Sequence, residues 1–248
     1  MKISIITAVY NNRETIESSL LSVLGQTWPE IEHIVVDGGS TDGTLDIINK
    51  YRDRIAVIVS GKDGGIYHAL NKGVCLATGE VVGVLHSDDV YEGPGVLAKV
   101  AAVFAEKKTD AVYGDLVYTR RDGRLLRYWK AGEYDASRLR NGWMPPHPSF
   151  FARRAVYEKY GSFNTEFRIA ADYELMTRFL YKHGIPASYL PEVLVRMRVG
   201  GKSNKNLANI IAKSREDYRI IKMHSLGGLR TLFLKNFGKL HQFFVSAG

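Results

Sequence analysis

The 248-residue chain has a single cysteine, Cys75. That scarcity excludes a disulfide framework and any zinc site built on cysteines, and it suits a reducing compartment. There is no run of 18 apolar residues, so no segment reads as a membrane-spanning helix. After Lys2 the sequence enters a strand-like run with no apolar leader and cleavage site, which leads us to expect a cytoplasmic protein. Internal repeats and low-complexity segments are absent. Acidic residues are scarce in one region only. The net charge is +8, which suggests an anionic partner for the whole chain. Yet residues 1–195 carry 23 basic and 24 acidic side chains, while residues 196–248 carry 11 basic and 2 acidic. The surplus therefore belongs to the last fifth.

Hydrophobic residues make up 45% of the chain and charged residues 24%, the balance of a soluble globular protein. Through residue 90, short apolar runs alternate with segments of helical period. The patterns predict strands over 3–9, 31–36, 55–60 and 81–85, and helices over 15–26, 44–51 and 66–77. This order implies a parallel sheet covered by helices. A helix over 96–107 and a strand over 111–118 follow. Beyond residue 120 the rhythm breaks. Asp122-Gly123 suits a hairpin turn, and Pro145, Pro146 and Pro148 exclude regular structure around them. A strand is expected to begin within 147–151, and helical spacing returns over 172–182. The expected division is an α/β domain over 1–195, in halves 1–90 and 91–195, then a loop and basic helical tail over 196–248.

Ligands of parallel α/β sheets bind beyond the carboxyl ends of the strands. Three polar clusters fall at such ends: Thr7, Tyr10, Asn11 and Asn12; Asp37 to Gly43; and His86-Ser87-Asp88-Asp89. Adjacent carboxylates after the apolar strand 81–85 repel each other unless a cation or donors hold them. A hard divalent ion on a diphosphate suits Asp88-Asp89; the competing reading is a helix cap beside a solvated acid. Asp37 is either a turn former before two glycines or an acceptor for a base N–H or a ribose hydroxyl. A Rossmann turn is disfavoured, because Tyr10-Asn11-Asn12 stands where G-x-G-x-x-G would, and the Walker phosphate loop is missing.

The runs Ile5 to Asn11, Val35 to Thr44 and Ser87-Asp88-Asp89 together resemble the large family 2 of inverting glycosyltransferases with the GT-A fold. Asp63 to Tyr67 with Ala69 to Gly73 is similar to the branch that builds bacterial exopolysaccharide, colanic acid and O-antigen. The resemblance covers about residues 1–200. It implies a mixed, mainly parallel GT-A sheet flanked by helices. It also implies that Thr7, Tyr10 and Asp37 hold the nucleotide base, expected to be uracil, and that Lys62 and Asp63 lie near the base or ribose. Asp88 would then contact the ribose or donor sugar, and Asp89 would ligate Mg²⁺ or Mn²⁺. A cation there would stabilise the negative charge that develops on the leaving group. His68 departs from the Asp usual in this branch.

An inverting transfer needs a base for the acceptor hydroxyl. The family places it in a Glu-Asp pair at a helix start, a position matched by Ala171-Asp172-Tyr173-Glu174. Asp172 is the expected base and Glu174 a lesser candidate, since Ala171 replaces the usual acid. The alternative is that Asp172 merely caps the helix. His147 is either structural in its proline-rich loop or a contact for diphosphate, metal or acceptor. Gly200-Gly201-Lys202-Ser203 resembles the family's loop that closes on the diphosphate through Lys202, or is an ordinary hinge.

In the tail, Leu226, Leu229, Phe233, Phe237, Leu240 and Phe244 recur at spacings of 3 and 4, with Lys235 and Lys239 opposite and Arg230 and His241 on the flanks. Such a helix either lies on an anionic membrane surface or packs on the domain or in a homodimer. The family's acceptor, a glycan or polyprenyl-diphosphate-linked sugar, makes the inner membrane face a natural station. Nucleic acid is not an expected partner. The rival functions are a non-catalytic nucleotide-sugar-binding subunit and a nucleotidyltransferase. A processive synthase is disfavoured, because membrane helices and a Gln-x-x-Arg-Trp motif are both lacking.

Overall fold

Strand β1 (Ile3–Val9) is mostly β-branched and buried along its whole length, as a central parallel strand covered on both faces must be. It appears in a computed structural model that describes residues 1–120, 122–199 and 207–237. β1 pairs in parallel with β2 (Ile31–Asp37) and β4 (Val81–Val84), and β2 in turn with β3 (Val57–Ser60). The crossovers are α1 (Ile16–Leu24), α2 (Thr44–Asn49) and α3 (Ile66–Leu76). Close seating of α3 on the sheet depends on Gly73, where a Cβ would stand 2.4 Å from Ile6 Cγ2. The third strand begins two residues later than its apolar run, because a 3₁₀ turn occupies Arg52–Arg54.

The second half adds β5 (Val90–Tyr91), α4 (Val96–Glu106), β6 (Ala111–Thr119), β7 (Leu125–Trp129), α5 (Ala136–Arg140), β8 (Phe150–Arg153), α6 (Arg154–Tyr160), α7 (Ala171–Met176) and β9 (Ala187–Arg198). The strand order is β3-β2-β1-β4-β8-β6-β9-β5, with β7 on β6. Antiparallel pairing enters where β8 joins β4, and β6 and β9 run in parallel. The result is a mixed α/β sheet flanked by helices, parallel throughout its first half. The hairpin forms with Gly123 at φ +83°. The helical spacing over 172–182 resolves into α7 and a π-helical stretch, Thr177–Lys182. β9 runs past residue 195 to Arg198, so the basic segment starts inside the sheet.

The apolar interior runs as one cluster from Ile3 to Leu226, with a smaller one around Ile16, Leu20 and Ile48. Of the C-terminal helices α8 (Leu207–Met223) and α9 (Leu229–Phe237), α8 contributes Ile220 and Ile221 to the main cluster, and Leu232 of α9 packs against it. Here the expected tail is corrected. Leu226 is buried, but Leu229 and Phe233 of the apolar stripe are 71% and 59% exposed, while Lys235 is buried. Its ammonium pairs with the fully buried Asp217 of α8, which also accepts from Lys213 at 3.0 Å, and it lies 3.8 Å from the Tyr173 ring centroid. A carboxylate between two ammonium groups, backed by an aromatic face, satisfies a lysine better than solvent satisfies a lone buried acid. Leu240, Phe244, Lys239 and His241 lie outside the described residues.

Candidate active site

The three polar clusters meet at one rim and are tied by side-chain bonds across the loops. Asn11 N–H donates to Ser40 Oγ at 2.8 Å, Thr41 N–H to Asn11 Oδ1 at 2.8 Å, and Asn12 N–H to Thr44 Oγ1 at 2.9 Å. Asn12 Nδ2 donates to Ser87 Oγ at 2.8 Å, and Ser19 Oγ to the His86 carbonyl at 3.0 Å. The two asparagines fix the loops, which leaves Tyr10, 56% exposed, as the side chain of its cluster that faces outward. A Cβ on Gly38 would lie 3.1 Å from Asp63 Oδ2 and 3.4 Å from Tyr10 Cδ2. The missing side chain therefore keeps open a slot between the two. Lys62 is exposed beside it.

Two residues expected at the base also hold the framework. Thr7 is fully buried, and its hydroxyl meets His33 Nε2 at 3.1 Å, beneath the rim rather than on it. Burial holds the His33 imidazole down at about 3, so the ring is neutral and Thr7 is free to donate to it. Asp37 is also buried. It accepts from Gly39 N–H at 3.2 Å, Ser40 N–H at 3.1 Å and Ser60 Oγ at 2.6 Å. That is the turn-former geometry.

Asp89 is the opposite case. It is fully buried, and neither carboxylate oxygen makes a hydrogen bond. Burial and then the Asp88 charge push its carboxyl well above the usual range, against the nearby Arg198. An orphaned buried carboxylate is what a cation ligand looks like without its cation. Among the described residues, no cluster of three His, Cys, Asp or Glu side chains is placed to hold a metal unaided. An ion at Asp89 would draw its remaining ligands from phosphate and water, as Mg²⁺ commonly does.

A cleft of about 410 Å³ adjoins the rim, lined by Tyr67, His86, His147, Arg168, Asp172 and Asn209, among others. Asp172 enters it from the second position of α7, whose N-cap is Ala170, so the capping role is not the one it takes. Tyr67 Oη donates to the Ile169 carbonyl at 2.8 Å and touches Asp172 Oδ1 at 3.3 Å. His147 is buried, stacks edge-on to Phe163 and faces His86 at 5.8 Å between ring centroids. Burial, opposed by Asp172, holds His147 at about 4, so it is neutral near pH 7. Glu174 faces away. It is 2% exposed and accepts from Arg178 Nε and His224 Nε2, both at 3.0 Å. Those bonds overcome burial and keep its carboxyl ionised below the usual range. It is a structural acid and not a second base. Lys202 lies outside the described residues. Tyr67 lies in the Asp63 to Tyr67 motif and His86 in the polar cluster after the fourth strand, neither with an expected role, whereas Arg168 and Asn209 carry no local sequence signal.

The sequence profile of glycosyl transferase family 2 matches residues 4–162. A relative, the PGL/p-HBAD biosynthesis glycosyltransferase of Mycobacterium bovis, is 34% identical over 206 residues, covering 81% of this chain and 78% of its own. Among solved structures, S. aureus TarS 1-349 in complex with UDP-GlcNAc aligns with a TM-score of 0.71 at 21% identity, over 97% of this chain and 72% of that one. Of the longer TarS chain the protein spans 39%. The mannosyltransferase PcManGT from Pyrobaculum calidifontis, in complex with GDP-Man and Mn²⁺, has a TM-score of 0.71 at 23% identity, over 97% and 70% of the two chains. These two likenesses show a shared GT-A fold. With the family profile over most of the chain and a 34% identical relative, this protein belongs to glycosyl transferase family 2 and is a glycosyltransferase.

Proposed function

We propose that the protein transfers a sugar, with inversion and with a divalent cation, from a UDP-sugar to a glycan or polyprenyl-diphosphate-linked acceptor in cell-envelope polysaccharide synthesis. The observation that carries this reading is the pairing of an unsatisfied buried carboxylate, Asp89, with a second carboxylate, Asp172, in the adjoining cleft. Asp89, with Asp88 beside it and His147 as a further candidate, would hold Mg²⁺ or Mn²⁺. The cation supplies charge stabilisation for the departing diphosphate. Tyr10, Asp63 and Lys62 border the slot over Gly38 that suits a flat base and ribose. Asp37, which shapes the turn there, and Thr7 remain the further groups assigned to the base.

On the acceptor side, Asp172 takes the proton from the attacking hydroxyl through a carboxylate oxygen. As the hydroxyl oxygen bonds to the anomeric carbon, the bond from that carbon to the diphosphate oxygen breaks, with its electron pair leaving on the diphosphate. Tyr67 holds the turn before Asp172, and neutral His147 and His86 line the cleft without competing for the proton. Asp172→Asn is expected to lower turnover about 10²–10⁴-fold while calorimetry still detects UDP binding with Mn²⁺. Undiminished turnover removes Asp172 from the role. A non-catalytic subunit would bind UDP equally well but release none from any UDP-sugar.

Exposed Leu229 and Phe233, with exposed Arg230 between them in the sequence of α9, support contact with an anionic membrane. Because Lys235 is an internal ion-pair partner, the test is Leu229→Ser with Phe233→Ser rather than deletion of the helix. Co-sedimentation with phosphatidylglycerol vesicles should drop, and unchanged co-sedimentation sinks the membrane role.

A further inference from the structure

We infer that Glu216, on α8, is a positioning residue for Asp172. This inference rests on the proposed role of Asp172 as base. The Glu216 carboxylate accepts three consecutive backbone N–H groups: Arg168 at 3.0 Å to Oε1, and Ile169 and Ala170 at 2.9 Å each to Oε2. Those residues form the turn that leads into α7, two positions before Asp172. The first N–H groups at a helix start have no partner within the helix, and Ala170 at the N-cap has no side chain with which to supply one. From 46–48 residues away, Glu216 takes the N–H of this N-cap residue and of the two residues before it.

The same turn is held from its other side, where Tyr67 Oη donates to the Ile169 carbonyl at 2.8 Å. With N–H groups gripped by α8 and a carbonyl gripped by α3, the backbone at 168–170 has little freedom to rotate. The carboxylate of Asp172 inherits that constraint. Two further contacts bind α8 to the same segment: Arg219 donates to Glu166 at 2.7 Å and lies 5.1 Å from the Phe167 ring centroid. Asn209, seven residues before Glu216 on the same helix, lines the cleft. In a helix that spacing returns to the same face. α8 therefore presents one residue to the cleft and another to the turn that aims its base. A charge-assisted bond to a backbone N–H is among the stronger ones available, and misplacement of a catalytic group by about 1 Å costs on the order of 10²-fold in rate.

The test compares Glu216→Ala and Glu216→Gln with wild type in full-length protein. UDP release is measured with the fastest of UDP-glucose, UDP-galactose and UDP-GlcNAc, with Mn²⁺ and with water as the acceptor. Turnover is expressed per UDP-binding site counted by calorimetry. We expect kcat to fall at least ten-fold in Glu216→Ala and less in Glu216→Gln, whose amide oxygen still accepts. Donor KM and UDP affinity should stay within two-fold of wild type, and hydrogen exchange should accelerate at amides 168–170 but not in β1. Unchanged kcat in both variants overturns the inference. So does a parallel fall of kcat and UDP affinity, the signature of a role confined to stability. If Glu216→Ala does not fold, Glu216→Gln is read alone against the same limits, and unchanged exchange at amides 168–170 overturns the inference without any turnover. Asp172→Asn run alongside separates the two readings: if it is active, the base assignment falls and takes this one with it. If it is inactive while Glu216→Ala is normal, only the present inference falls.

Discussion

The two ends of the same parallel strands treat a buried carboxylate in opposite ways. At the amino end, Glu32 of β2 accepts from Lys2 Nζ at 2.9 Å, Ser4 Oγ at 2.5 Å, Thr78 N–H at 2.8 Å and Thr78 Oγ1 at 2.6 Å. At the carboxyl end, Asp89 is as deeply buried and accepts no hydrogen bond. Both acids feel burial first. For Glu32 four bonds overcome it and hold the carboxyl at about 2, whereas for Asp89 nothing does and the carboxyl is pushed well up. A fold that can satisfy an acid so fully at one end leaves one unsatisfied at the other, which is where the proposed cation would complete it. On the proposed function, the amino end carries stability and the carboxyl end sets stability aside for binding.

That contrast breaks if Asp89→Asn behaves like an ordinary core lesion. Its largest expected effect is on function: loss of Mn²⁺-stimulated UDP release by on the order of 10²–10³-fold, the scale of removing one group that stabilises a leaving anion. Its stability effect should have the reverse sign. The substitution removes the cost of keeping an ionisable carboxyl in a buried place where its oxygens have no hydrogen-bond donor, so the metal-free protein should melt higher, by roughly 2–4 °C for each kcal/mol gained. A lower melting temperature in the absence of metal refutes the assignment of Asp89 as a ligand held at the expense of stability.

The first half of the chain was legible because its candidate site residues lie within short runs that follow apolar strands. Strand ends, polar loops and the acids Asp37, Asp88 and Asp89 all fall in 1–90, and the sheet brings them to one rim. What local sequence cannot reveal is which donors reach a side chain: Thr7 turned to His33 and Asp37 into its own turn. The second half is put together from segments far apart in sequence. Its cleft takes Tyr67 from α3, His147 from a proline-rich turn and Asn209 from α8, and no periodicity joins those positions. The tail misled in a specific way. An apolar stripe with lysines opposite reads as apolar side inward, yet Asp217, itself buried on α8, draws Lys235 in and turns Leu229 and Phe233 out. One buried acid outweighs two apolar side chains because an unpaired charge costs more to bury than a leucine costs to expose. Lys235→Met should therefore destabilise the protein by about 1–3 kcal/mol, less than the usual loss from a broken buried pair, since Lys213 still serves Asp217. Urea unfolding measures it, and a gain in stability would falsify this account of α9.

The smallest effect is the most discriminating for the contrast between strand ends. Glu32→Gln replaces an acceptor of four bonds by an amide that accepts through one atom only, and it should cost about 1–3 kcal/mol at pH 7. Because the folded carboxyl sits at about 2, below its ordinary 4.5, the stabilisation is complete above pH 4.5 and is lost as pH falls toward 2. The gap between wild type and Glu32→Gln in urea unfolding should thus be constant from pH 7 to about 5 and close on further acidification. Turnover per folded molecule should not change, since Ser4 and Glu32 pair at the amino end of the sheet while Val9 and Asp37 pair at the site. A variant that loses turnover with stability intact would mean that the amino end also serves the chemistry, and the division of labour along the strands would be wrong.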